Sequence, residues 1–172
     1  MIKRTWIILL ITLSLPLFAC KGQDSDSGAP AEKSSPVDRV ALENEAREAF
    51  VAYSGLLRQS KFDEAVAYYA DDPRFVWVED GGIKYDTQAQ IKRALEGISS
   101  QGVVVTNFGR PRMWALNDEQ VMIYAKFRTT IDKDGDEEFT YAGAITVVME
   151  EMESGWKFIS GHTSTLPEDK GF

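Results

Sequence analysis

The second half of this 172-residue chain reads almost entirely as strand, which limits the fold to architectures built round one sheet. Four stretches rich in β-branched and aromatic residues follow Gly102: Val103 to Leu116, Gln120 to Ile131, Glu138 to Met152 and Trp156 to Leu166. Between them stand Asn117-Asp118, the run Asp132 to Asp136 around Gly135, and Ser154-Gly155. Connections this short make neighbouring strands antiparallel. Gly109-Arg110-Pro111 predicts a bend within the first of the four.

Before Gly102 the periodicity is helical. Ser35-Pro36 predicts a helix start, and Leu42, Ala46, Ala49, Phe50, Tyr53 and Leu57 fall on one face of the helix that follows. Ser60 is expected to cap a second, shorter helix that buries Phe62, Ala65, Val66 and Tyr69, and Asp71-Asp72-Pro73 ends it. Arg74 to Glu79 reads as a strand closed by a Gly81-Gly82 turn. Thr87 and Gln90 form a capping-box pattern for a third helix carrying Ile91, Leu95 and Ile98. Helices first and long strands afterwards give an α+β layout, with three N-terminal helices on one face of one antiparallel sheet.

The N-terminus sets the compartment. Lys3 and Arg4 precede an apolar run from Trp6 to Phe18, and then Ala19-Cys20. The run is too short to span a bilayer and has the layout of a secretory signal. Leu17-Phe18-Ala19-Cys20 resembles the lipobox of bacterial lipoproteins, which implies a signal peptide over residues 1–19 and acylation of Cys20. Residues 20–35 carry no large apolar side chain and are expected to be a flexible tether, reaching roughly 50 Å when extended. Residues 36–172 form the remaining, single domain. The resemblance implies a membrane-anchored protein on the periplasmic side, at the outer rather than inner membrane in a Gram-negative cell, because Lys21 is not aspartate. A net charge of −8 argues against nucleic acid as a partner and leaves membrane attachment to the acyl chains. The chain's one cysteine excludes an internal disulfide.

Two segments carry a further resemblance. One runs from Tyr53 through Ser60-Lys61-Phe62-Asp63 to Tyr68-Tyr69-Ala70-Asp71-Asp72, and the other is Gly155-Trp156-Lys157-Phe158-Ile159-Ser160-Gly161-His162-Thr163-Ser164. With the order of elements, they resemble the SnoaL-like and ketosteroid-isomerase-like branch of the nuclear transport factor 2-like superfamily. That resemblance implies a strongly curved sheet wrapped into a cone round the helices, a cystatin-like α+β roll with an apolar hollow. It also implies that Tyr53 matches the oxyanion donor of the isomerases, and that Glu79-Asp80 matches the pair holding their proton-shuttling aspartate. Their third partner, a protonated acid, would fall near Thr146-Val147, where no acid stands, so steroid-type isomerisation is disfavoured.

The candidate catalytic residues are therefore Tyr53, Asp80 and His162, the last being the only histidine. Period two along Trp156, Phe158, Ser160, His162, Ser164 and Leu166 predicts one shared face, which the resemblance turns toward the hollow. Tyr53, Tyr69, Trp77, Trp114, Tyr124, His162 and Ser164 are the candidate ligand-binding residues; core packing is the plainer role for the aromatics, and a turn position for Asp80. Asp132 to Asp136 lacks the glycine and glutamate of a calcium loop, and one histidine with one cysteine cannot build a zinc site, so no metal or other cofactor is expected. Glu138 to Met152 is apolar on both faces, which predicts a homodimer through the sheet. Three functions stay open: a receptor for a small apolar or amphipathic molecule, an isomerase, dehydratase or hydrolase, and a protein-interaction scaffold with a filled cone.

Overall fold

A computed structural model describes residues 36–100, 102–132 and 138–166. The signal segment, Cys20, the tether and the acidic tip beyond Asp132 lie outside the described residues. Helix α1 spans Pro36–Arg58, α2 spans Phe62–Ala65 and runs into a 3₁₀ turn at Val66–Tyr68, and α3 spans Gln88–Ser99. The strands are β1 (Val76–Glu79), β2 (Gly82–Tyr85), β3 (Val103–Phe108), β4 (Arg112–Ala115), β5 (Gln120–Asp132), β6 (Phe139–Met152) and β7 (Gly155–Thr165).

The α+β layout is as the sequence predicts: three helices against a curved sheet of seven strands that does not close. Its order is β2-β1-β7-β6-β5-β3, with β4 also on β5. The sheet is mixed rather than wholly antiparallel, because β1 runs parallel to β7. That contact joins the earliest strand of the hairpin β1–β2 to the last strand of the meander, so no tight turn dictates its direction. Gly109-Arg110-Pro111 does more than bend one strand. It separates β3 from β4, and the pairing with β5 slips across the break, from Phe108↔Phe127 to Arg112↔Tyr124.

Helix α1 buries Ala46, Phe50, Tyr53 and Leu57, the stripe expected of an amphipathic helix. Its end differs from expectation. Ser60 does not cap α2; it closes α1 with a left-handed backbone (φ 55°), while Ser60 N–H donates to Leu57 O at 3.3 Å and Lys61 N–H to Leu56 O at 2.9 Å. This is the crossed pair that terminates many helices, with serine where glycine is usual. The Ser60 hydroxyl donates to Val104 O at 2.7 Å, tying the turn to β3. Helix α3 starts as predicted, with Thr87 Oγ1 accepting from Gln90 N–H; the Gln90 side chain reaches back to Asp86 N–H.

Candidate functional site

The interior of the cone is an aromatic cluster. Tyr53 comes from α1, Tyr69 from the end of the 3₁₀ turn, Trp77 from β1 and Phe158 from β7, and all four are buried. Ala70 N–H donates to Phe158 O at 3.0 Å, which fixes Tyr69 against the last strand. Ring centroids lie 4.7 Å apart for Tyr53 and Phe158, 5.3 Å for Tyr69 and Phe158, and 5.5 Å for Tyr69 and Trp77. These spacings are those of packed rings, in tilted or edge-on contact. Trp77 lies against the backbone of Gly161, its partner in the β1–β7 ladder, and a Cβ on Gly161 would overlap the indole.

The polar atoms of the cluster satisfy one another. The Tyr53 and Tyr69 hydroxyls are 2.7 Å apart. Burial pushes Tyr53 up to about 12 against a small lowering from that bond. Tyr69 is raised well above its ordinary value, first by burial, then by Tyr53 and by the charge of Glu79. Both are phenols, not phenolates, at neutral pH. Trp77 Nε1–H donates to Glu79 Oε1 at 3.2 Å, so Glu79 is the acid beside the cluster.

Of the residues singled out from sequence, Tyr53, Tyr69 and Trp77 come together. Asp80 does not join them: it is exposed, at a turn with φ 51°, and its neighbour Glu79 shares the inward face with Trp77. The alternation Trp77, Glu79 carried that signal. His162 and Ser164 are exposed on the outer face, contrary to the period-two expectation. The cause is a bulge. Met149 pairs with Phe158 but Val148 pairs with Ser160, so Ile159 is an extra residue and every later side chain of β7 changes face. Gly161 and Thr163, opposite buried Val147 and Ile145, take the inner places. Trp114 (44 % exposed) and half-buried Tyr124 also lie on the outer face, and no acid occupies Thr146-Val147.

Residues 46–168 match the SnoaL-like domain family. The chain belongs to that family. No curated protein matches the chain in sequence. Solved structures share this SnoaL-like fold at low identity, and such likeness speaks to fold alone. A protein from Novosphingobium aromaticivorans DSM 12444, named provisionally as a scytalone dehydratase, is 12% identical with a TM-score of 0.66, over 77% of this chain and 90% of that one. A nuclear transport factor 2-like superfamily protein from Salmonella enterica serovar Typhimurium LT2 is 13% identical with a TM-score of 0.62, over 77% and 99%. A cystatin-like-fold relative, also from Novosphingobium aromaticivorans, is 12% identical with a TM-score of 0.60, over 76% and 85%.

Outside the cluster, a groove of about 720 Å³ runs between α2, α3 and the β6–β7 turn, with Tyr69, Gln88, Lys92, Met152 and Lys157 among its walls. A crevice of about 610 Å³ lies under β4, lined by Arg47 and Arg110 to Trp114.

Proposed function

We propose that this SnoaL-like domain is a membrane-tethered, non-catalytic interaction module that pairs with a second copy through the outer face of its sheet. One observation carries the reading: the space where relatives would hold a ligand contains this chain's own rings, with the two tyrosine hydroxyls bonded to each other. Catalysis needs a donor and a base with room for a substrate between them. Here the donors face each other and His162 is on the opposite side of the sheet.

The outer face suits self-association. Met122, Val148, Ser160 and Val76 form one row across β5, β6, β7 and β1, and Tyr124, Thr146, His162 and Val78 form the next. Except for exposed Thr146 and His162, these side chains are half-buried within one chain, and the two rows contain no carboxylate, lysine or arginine. A two-fold axis over such a patch would bury it against itself. Acylated Cys20 and residues 20–35 supply the tether. Sedimentation of the full chain in non-ionic detergent should give a dimer, and Val148→Lys should give a folded monomer. A wild-type monomer at tens of micromolar would overturn the pairing.

A second reading, the small-molecule receptor or an enzyme of dehydratase type, is favoured by the groove that reaches Tyr69. The provisional dehydratase name of a structural relative fits it at the level of fold. The carboxylates on the walls of that groove are Asp63, Asp71 and Glu96, and they rather than Asp80 would then supply the base. Native mass spectrometry decides between the two readings: a co-purified molecule that is lost on Tyr69→Phe replacement favours the second.

A further inference from the structure

The crevice beneath β4 is a concentration of positive charge on an acidic chain. Arg47 reaches it from α1, Arg110 from the segment that separates β3 from β4, and Arg112 from the first position of β4. Their guanidinium groups make no ion pair or hydrogen bond with any described residue, whereas Arg74 is held by Asp72 and Glu150. On a chain of net charge −8, three arginines without an ion-pair partner among the described residues surround one cavity of about 610 Å³ and focus positive potential on it. Glu43, one turn before Arg47 on α1, is anchored to β4, its Oε1 accepting from Ala115 N–H at 3.0 Å, and its charge offsets part of that of Arg47.

Two more features point to a ligand. Leu116 N–H bonds to Gln120 O, so Arg112, Trp114 and Leu116 are the hydrogen-bonded positions of the β4–β5 ladder. Met113 and Ala115 therefore turn their N–H groups to the free edge; Ala115 is taken by Glu43, and Met113 N–H is left for the crevice. Trp114, 44% exposed, supplies a flat apolar wall beside the arginines.

We infer that this crevice binds a phosphate monoester carrying a flat apolar group. A dianion with three acceptor oxygens matches three planar forks and a backbone donor, and the indole would stack on the attached group. A monocarboxylate would leave most of these donors unused. The site is separate from the aromatic interior; Arg112 and Trp114 continue the two outer rows onto β4, next to Tyr124 and Met122.

Calorimetric titration of the full chain in non-ionic detergent tests it with phenyl phosphate, inorganic phosphate and benzoate. Phenyl phosphate should bind at least tenfold more tightly than the other two, and weaken as salt rises from 20 to 150 mM (about the range over which surface electrostatics is screened). Arg110→Ala/Arg112→Ala should weaken it tenfold or more. Trp114→Ala should remove the advantage over inorganic phosphate and leave inorganic phosphate unchanged. Short-chain phosphatidic acid separates the sources: tighter binding than phenyl phosphate assigns the site to a lipid headgroup, weaker binding to a soluble ester. No binding of phenyl phosphate, binding indifferent to the arginine replacements, or equal binding of benzoate would overturn the inference.

Discussion

At the scale of single residues, the tyrosine pair and Gly161 govern the interior. Replacing Tyr53 by Phe leaves the Tyr69 hydroxyl buried without its partner, which should cost about 1.5 kcal/mol. The double replacement Tyr53→Phe/Tyr69→Phe should cost little more than either single one, because no orphaned hydroxyl remains; additive losses in denaturant unfolding would contradict the pair. The same burial sets an alkaline limit. Tyr53 ionises near pH 10 when unfolded and near 12 when folded, so above pH 10 the unfolded chain releases the proton first. The stability tied to Tyr53 is complete below pH 10 and declines as pH rises toward 12. The double Phe variant should therefore unfold at higher pH than the parent in a circular-dichroism titration. Gly161→Ala places a methyl group in the Trp77 ring and should destabilise by about 2 kcal/mol.

At the scale of elements, the predicted helix start at Thr87 and the unpredicted closure at Ser60 obey the same rule: orphan backbone groups at a helix end take the nearest partner. Thr87→Ala removes the bond to Gln90 N–H and should cost about 1 kcal/mol in thermal unfolding, with no effect on association. Strand β7 shows why periodicity alone misplaces side chains. The run Trp156 to Leu166 alternates without interruption in sequence, but the ladder to β6 contains one extra residue, Ile159. That single insertion transfers His162 from the expected lining to the outer surface. Nothing local to β7 announces it, because a bulge is a mismatch between two strands rather than a property of one.

At the scale of the molecule, pairing and stability should be linked. If the outer rows meet a second copy, the melting temperature rises with protein concentration, and Val148→Lys removes that dependence. Differential scanning calorimetry at two concentrations a hundredfold apart is the check. The helix stripe Ala46, Phe50, Tyr53, Leu57, the Thr87 cap and the strand-rich second half were legible because each depends on neighbours three, four or two residues away. So was the α+β class, since order and length of elements already restrict the layers. What tertiary structure alone decided is the parallel β1–β7 contact and the filling of the cone by Tyr53, Tyr69, Trp77 and Phe158. Each depends on register and close approach between segments about 80 or more residues apart in sequence or on the ring that fills a given gap, and no local pattern encodes either.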